Sequence, residues 1–515
     1  SMAQAPAVPA RDLSDICRRM QASLDGLGQL LNMLLDVSRL DANAVQVELA
    51  ALARDFGEDV FLGKLRVGGA AEEEIGAEAP LSDEVGKIGR GGRKDAGSAP
   101  QWKGVEACDD VQQAALRFGC QVIGGVEKEG AAFRQSHAAL LEQLAELGRE
   151  TRANTELADR IRHKYRLKNT TGLSLNALVD FDEPLDILSH LMVGSEGTLG
   201  FISAVTYNTV PDHPHKASAL LVFPDVESCC RAVTLLKQQP VSAVELLDRR
   251  SLRSVQDTPG MPEWVKGLSN SACALLIESR AASQSLLHEQ LQLIMAAIAG
   301  FPLEKQVDFS EDPSVYNLLW KIRKDTFPAV GAVRQTGTTV IIEDVTFPVE
   351  QLAAGVNRLL ELFDKHHYDE AIIFGHALEG NLHFVFTQGF DTPEQVARYS
   401  AFMDEVTQLV AVEFGGSLKA EHGTGRNMAP FVELEWGSDA YQLMWTIKHL
   451  LDPHGILNPD VVLSVDPQIH LKHLKPLPAA DEIVDKCIEC GFCEPVCPAK
   501  GLTLSPRQRI VMWRD

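Results

Sequence analysis

Apolar residues recur at three- and four-residue steps between 11 and 48 (Leu13, Ile16, Cys17, Met20, Leu24, Leu27, Leu30, Leu31, Leu34 and Leu35), which predicts an amphipathic helix. Residues 133–162 read as one or two further helices, and residues 173–181 lead through Pro184 into the apolar stretch 187–194. From 216 to about 310, helical stretches alternate with short β-type runs at 219–223 and 272–277, followed by a strand at 338–342 and a helix at 349–365. Residues 371–374 and 382–386 are rich in β-branched and aromatic side chains. Gly380-Asn381 between them is a turn signal, so a hairpin-like pair of strands is expected. Residues 415–421 read as a short strand leaving a glycine-rich turn. The alternation predicts an α+β domain with helices on one face of an antiparallel sheet. Residues 67–104, rich in Gly, Ala, Glu and Asp and then basic at 87–94, lack sustained periodicity and read as linker or poorly ordered sequence. No internal repeat is evident.

Length and charge narrow the function classes. The 515 residues allow roughly two to four domains. A net charge of −23 argues against a nucleic-acid partner, because phosphate binding needs clustered Lys and Arg. No apolar run approaches the ~18 residues of a membrane span, and the first residues lack the pattern of a signal peptide. A soluble cytoplasmic protein is expected, with peripheral contact to the inner face of a membrane left open. The helical piece around Leu30–Leu40 resembles the second dimerisation helix of sensor histidine kinases. No histidine precedes His137, so the phosphoacceptor of such a kinase is absent. Gly89-Arg-Gly-Gly92 makes a weak phosphate cradle, because no strand precedes it and no helix follows.

Three groups of residues carry candidate chemistry. His376 and His383 stand seven apart in Gly375-His-Ala-Leu-Glu-Gly-Asn-Leu-His383, and Glu421-His422 follows in Ala420-Glu-His-Gly-Thr-Gly-Arg426. A hairpin would bring His376 and His383 together at its tip. Two imidazoles and a carboxylate suit a divalent metal with an open coordination position, and His422 beside them could be a base. Ordinary polar residues at strand ends are the competing explanation. Six cysteines (Cys17, Cys108, Cys120, Cys229, Cys230 and Cys273) are scattered and read as reduced core or surface thiols. The other four form Cys487-x-x-Cys490-x-x-Cys493-x-x-x-Cys497-Pro498, the spacing of bacterial ferredoxins around a 4Fe-4S cluster. A zinc ribbon would separate its two cysteine pairs by a longer loop. A second cysteine run does not follow, so either the sequence is a piece of a longer polypeptide or the four cysteines act as a self-contained site. Finally, Gly194-Ser-Glu-Gly-Thr-Leu-Gly200 is a glycine-rich turn entering a strand, where backbone amides can approach a ligand.

These motifs, with Leu457-Asn-Pro459, occur in the order found in flavin-linked D-2-hydroxyacid dehydrogenases, and the chain resembles that family from about 131 to 515. The group includes respiratory-type D-lactate dehydrogenase, the glycolate oxidase flavin subunit and D-2-hydroxyglutarate dehydrogenase. The cysteine run is similar to that of longer members with an iron–sulfur half. The resemblance implies a helical extension at 1–58, a linker-like region at 59–130, and the second half of a PCMH-type FAD-binding domain at 131–215. A substrate (cap) domain with the metal site at 216–465 and a ferredoxin-like 4Fe-4S segment at 466–515 complete it.

By position, the resemblance implies that Thr170, Gly172, Gly194, Ser195, Glu196, Gly197, Thr198 and Gly200 line FAD, with Asn458 near its ring. It implies that His376, His383 and Glu421 hold a divalent metal, zinc in some relatives. His422 would take the hydroxyl proton, and Arg323 would pair with the carboxylate of a small 2-hydroxy acid. Spacing alone equally allows Arg323 to be a surface salt bridge on a helix. Electrons would pass through the cluster held by Cys487, Cys490, Cys493 and Cys497 to a quinone, a cytochrome or another protein. With no Rossmann fingerprint, nothing invokes NAD.

Two departures stand out. The Pro-Arg-Gly-Gly-Gly-Thr type pyrophosphate loop of the family is not found, and Ile342 stands where several relatives have a carboxylate-binding lysine. The first leaves two other readings open: a non-catalytic flavoprotein fragment fused to a helical interaction module, or an electron-transfer subunit completed by a partner chain.

Overall fold

A computed structural model describes residues 62–64, 133–205, 209–257, 261–474 and 477–514. The leucine-rich stretch at 11–48 and the basic stretch at 87–94 lie outside them. Phe61–Cys490 with the last three residues forms one compact unit, and Gly491–Met512 falls in a second.

Within the first unit, residues 138–191 form four helices, α1 (Ala138–Ala153), α2 (Thr155–Lys164), α3 (Asn176–Asp180) and α4 (Pro184–Leu191). The Asn154 side chain caps α2 by accepting the Leu157 N–H, and Pro184 starts α4, where its missing N–H costs nothing. Their apolar sides (Leu144, Ile161, Leu178, Ile187, Leu191) share one core with Val432, Trp436, Met444 and Ile447 of the late helices α11 (Val432–Trp436) and α12 (Ser438–Leu451). Residues 432–463, which sequence reading groups with the sheet, thus pack with residues 144–199.

Among the described residues there are nine strands: β1 (Leu62–Lys64), β2 (Phe201–Ala204), β3 (His215–Phe223), β4 (Ala243–Leu247), β5 (Cys273–Ala281), β6 (Lys305–Ser310), β7 (Thr339–Thr346), β8 (Ile372–His376) and β9 (Asn381–Gln388). The first two form a short parallel pair. The other seven form one antiparallel sheet in the order β6-β3-β5-β4-β8-β9-β7. One face is covered by α5 (Val226–Leu236), α7 (Gln284–Ile298), α9 (Leu352–Lys365) and α10 (Pro393–Thr407), around Phe363, Phe384, Phe386 and Phe402.

The expectation of helices on one face is corrected. The other face packs against α6 (Arg249–Val255) and α8 (Pro313–Val333), through Leu252, Leu319, Ile322, Ile372, Phe374 and Val385. The reason is in the strands themselves: β3 and β5 are apolar in both alternating positions, and a run of that kind needs cover on both sides. The expected strand at 415–421 is also absent. Only Ser417 bridges to Thr346, and the glycines on either side turn the chain away. Cys229, Cys230 and Cys273 are buried in the core of the first face, and burial pushes the thiols of Cys229 and Cys230 well above their ordinary value. Among the described residues, no helix is long and apolar enough to cross a membrane.

One buried ion pair ties the late helix to the loops around it. On α12, Lys448 Nζ donates to the Thr198 and Leu457 carbonyls (2.7 and 2.8 Å) and to Asp452 Oδ2 (2.5 Å). Asp452 also accepts the N–H groups of Ile456 and Leu457. Burial raises the Asp452 carboxyl, but Lys448 and the two amides outweigh it and hold the group below its ordinary value. Replacing Lys448 by Met is expected to cost about 3–5 kcal/mol in urea unfolding, because Asp452 is left buried without its cation. The penalty of Asp452→Asn is expected to be full above pH 4. It shrinks as pH falls through the depressed native pKa, because the wild type loses the same charge there. A penalty constant from pH 7 to pH 3 would contradict this.

Candidate active site

The site is built on the face of the sheet that α8 covers. In β8 and β9, Phe374 is in register with His383, and in β4 and β8, Glu245 is in register with His376. Asp344 on β7 is in register with His383. Cross-strand partners present side chains to the same face, so Glu245, His376, His383 and Asp344 lie side by side across four neighbouring strands. The reversal between β8 and β9 depends on two glycines. Gly380 has a left-handed φ of 69°, and a Cβ there would meet the Phe347 carbonyl oxygen at 2.0 Å. A Cβ on Gly375 would meet the Asn381 carbonyl oxygen at 2.4 Å.

The two imidazoles converge on one oxygen. His376 Nε2 lies 3.3 Å and His383 Nε2 3.1 Å from Glu421 Oε1, with the rings 5.2 Å apart and nearly perpendicular. Tetrahedral ligands about 2.05 Å from a metal lie about 3.3 Å from one another, so the distance from each imidazole to Glu421 is that of two ligands sharing a divalent ion. The other Glu421 oxygen is 3.0 Å from the buried Lys168 ammonium. Burial works against the Glu421 carboxylate. The neighbouring imidazoles of His376 and His383 and the charge of Lys168 more than offset it, holding the group far below its usual range. Burial pulls His383 down and so favours its neutral, ligating form. Asp344, His383, Glu421 and His422 form a second, overlapping set whose ligand atoms lie within 4.8 Å of one another.

His422 is the partly open member, its ring stacked on His383 at 4.8 Å. Asp344 stands behind it. Its Oδ2 accepts the N–H groups of Glu421 (2.6 Å) and His422 (3.0 Å), and its Oδ1 lies 3.6 Å from His422 Nδ1 and 2.7 Å from Lys419 Nζ. Lys419 also binds Glu343, at 2.9 Å. Burial opposes the charge on Asp344, but Lys419 and the neighbouring histidines bring its carboxyl down to about 2. Arg323 is not a surface salt bridge. From α8 its Nε donates to Glu245 Oε2 at 2.8 Å, its guanidinium lies over the Phe374 ring at 4.2 Å, and Glu245 Oε1 accepts from His376 Nδ1 at 2.5 Å.

The glycine-rich motifs meet nearby. Glu196, itself left-handed at φ 52°, accepts the Gly425 N–H with both oxygens, and Asn458 Nδ2 donates to the Glu196 carbonyl at 2.7 Å. Thr170 Oγ1 accepts from Gly423 N, and Thr424 Oγ1 accepts from Gly172 N. Gly194 and Gly197 are left-handed, and nothing lies within 4 Å of where a Cβ on Gly197 would stand. Ser195 and Thr198 are buried, with the Thr198 hydroxyl donating to the Ser195 carbonyl, and Gly200 leads into β2. Neither the side-chain oxygen nor the side-chain nitrogen of the fully buried Asn381 has a protein partner. A buried amide left without a partner is a site that a bound polar group could satisfy.

Cys487 and Cys490 close the first unit. Cys487 Sγ accepts the Glu489 N–H at 3.4 Å, and its carbonyl accepts from Arg334 and Arg514. Ile488 packs on Gly331 of α8, where a Cβ would meet it at 2.1 Å. Cys493 and Cys497 belong to the second unit, where Glu494 pairs with Arg507 at 2.9 Å.

Sequence reading missed Glu245, Asp344, Lys168 and Lys419. Glu245 left a signal, being an acid inside an otherwise apolar strand, and so did Asp344, which with Glu343 interrupts a run of Val and Ile; buried charges there need partners. Lys168 left none. Gly380→Ala should destabilise the fold by about 1–3 kcal/mol from overpacking alone. Urea unfolding at pH 7 is the check, and a midpoint within error of the wild type would mean that the turn is not constrained as described.

Comparison with known proteins follows the same residues. Residues 212–462 match the family model described as FAD linked oxidases, C-terminal domain. The chain is 28% identical over 283 residues to glycolate oxidase subunit GlcD of Bacillus subtilis, covering 54% of this chain and 57% of that protein. It is 31% identical over 275 residues to the mitochondrial D-lactate dehydrogenase (cytochrome) of Arabidopsis thaliana, covering 53% and 46%. With a probable mitochondrial D-2-hydroxyglutarate dehydrogenase of Oryza sativa subsp. indica it shares 27% identity over 288 residues, covering 54% and 48%. The chain spans about half the length of the curated relatives it matches.

Proposed function

We infer that this chain, with its C-terminal domain of the FAD-linked oxidase kind, oxidises a small D-2-hydroxy acid of the D-lactate or D-2-hydroxyglutarate type to the 2-oxo acid. The observation that carries the reading is the convergence of His376 and His383 on one oxygen of Glu421, flanked by His422 and by Arg323.

Arg323 receives the substrate carboxylate. Its Nε is engaged by Glu245, so the edge formed by its two terminal nitrogens makes the bidentate contact. His422 accepts the proton of the 2-hydroxyl, and Asp344, held ionised by Lys419, stabilises the charge that His422 then carries. Lys168 binds the second oxygen of Glu421, leaving the first to face the two imidazoles. Thr170, Gly172, Gly194 to Gly200 and Asn458 line the cofactor. When bound, FAD would supply the acceptor for the C2 hydride, and a divalent metal, zinc being the candidate, would be held by His376, His383 and Glu421 and would supply Lewis acidity at the 2-hydroxyl. The substrate loses one hydride and one proton; a 4Fe-4S cluster, for which Cys487, Cys490, Cys493 and Cys497 have the sequence spacing, would supply one-electron transfer onward. Cys487 Sγ accepts the Glu489 N–H and its carbonyl accepts from Arg334 and Arg514, and α8 carries both Arg323 and the packing surface for Ile488. The electron acceptor is a quinone, a cytochrome or a protein, at the cytoplasmic side of a membrane or in solution.

The test is an anaerobic absorbance spectrum of the FAD-incubated chain before and after a D-2-hydroxy acid. Flavin bands should bleach with D-lactate or D-2-hydroxyglutarate and not with the L-enantiomers, and His422→Ala should slow bleaching by about 10²–10⁴-fold. Absence of flavin bands, or bands that no D-2-hydroxy acid bleaches, would sink the reading.

A further inference from the structure

We propose that Glu245 is a positioning residue shared by the metal site and the substrate site, so that metal affinity and substrate affinity are coupled through one buried carboxylate. The inference rests on the reading above and extends it to a residue outside both sites. Glu245 lies on β4, 4% exposed, and its two oxygens are divided between two elements. Oε1 takes the Nδ1 hydrogen of His376, its cross-strand partner, at 2.5 Å, and Oε2 takes the Nε hydrogen of Arg323 on α8 at 2.8 Å.

Each contact fixes something the site needs. A proton held on Nδ1 leaves the Nε2 lone pair of His376 to face Glu421, as a ligand must. A bound Nε fixes the guanidinium plane of Arg323 over Phe374 and leaves its outer edge for a carboxylate. Only a carboxylate does both, since it offers two acceptor oxygens to two N–H donors. Glutamine would set its own NH₂ against one of them, and aspartate, one methylene shorter, cannot span both.

The coupling predicts a sign that simple electrostatics reverses. Removing the cationic Arg323 should tighten a bound cation if charge alone acted. If Arg323 holds Glu245, and Glu245 holds His376, its removal instead loosens the ligand and weakens the metal.

The experiment uses the full chain loaded with Co²⁺, followed by its visible ligand-field bands, with the dissociation constant taken from competition against a chelator. KM and kcat are measured in parallel with D-lactate. Glu245→Gln should weaken Co²⁺ binding by about 10–100-fold and raise KM by a larger factor than it lowers kcat. Arg323→Met should weaken Co²⁺ binding by about threefold or more, although it touches no metal ligand. The proposal is overturned if Glu245→Gln leaves Co²⁺ affinity unchanged, or if Arg323→Met leaves it unchanged or tightens it, in a wild type that binds Co²⁺ and oxidises the acid. A wild type that binds no Co²⁺ or oxidises no hydroxy acid would overturn the functional reading and this proposal together. Circular dichroism spectra matching the wild type confirm that each variant is folded, and Glu245→Asp serves as a second variant that should keep one effect and lose the other.

Discussion

The pairing of buried carboxylates governs this molecule. Glu245, Glu343, Asp344, Glu421 and Glu435 all have side chains largely removed from water, and an isolated ionised carboxylate there would be costly. Each has a specific counter-group: His376 and Arg323 for Glu245, Lys419 for Glu343 and Asp344, the imidazoles and Lys168 for Glu421, and Lys164 with Asn169 for Glu435. Almost every one of these partnerships joins distant stretches of chain. The helices before residue 200, the sheet, and the loop at 415–427 are therefore locked to one another by the same contacts that build the site.

That arrangement separates two tasks that a single side chain could not perform. The ligand atoms face one point, while the opposite edges of the same groups are occupied by protein. Glu421 gives one oxygen to the imidazoles and one to Lys168, and His376 gives one nitrogen to each side. A site whose outer edges are already satisfied has little orientational freedom left to lose when a ligand arrives.

Much of this was legible in the sequence because it is local. Gly380-Asn381 between two β-rich runs places His376 beside His383, and the structure has that hairpin. Helices at 133–162 and 349–365 follow from apolar period alone, and appear as α1 with α2, and as a short 3₁₀ turn running into α9. What was not legible is long-range. Lys168 reaches Glu421 across 253 positions, and no pattern around Arg-Leu-Lys-Asn announces it. The stretch at 415–421 looks like a strand because Ser-Leu-Lys-Ala can be extended. It forms no ladder because its polar groups go to Thr171, Glu343, Asp344 and Glu435 instead. The second helical cover of the sheet was hidden because a strand buried on both sides has no alternation to read.

The cysteines show a different kind of order. Cys229, Cys230 and Cys273 are sealed in the core, two of them with thiols pushed towards the protonated form, whereas Cys487, Cys490 and Cys497 are partly open and Cys493 is exposed. Thiolates, not thiols, react with iron, oxidants and alkylating agents. Among the described residues the fold therefore sorts its cysteines into two populations, one chemically silent while the sheet stays closed and one open to reagents in solution. Labelling of the silent set becomes a clock for opening of the core.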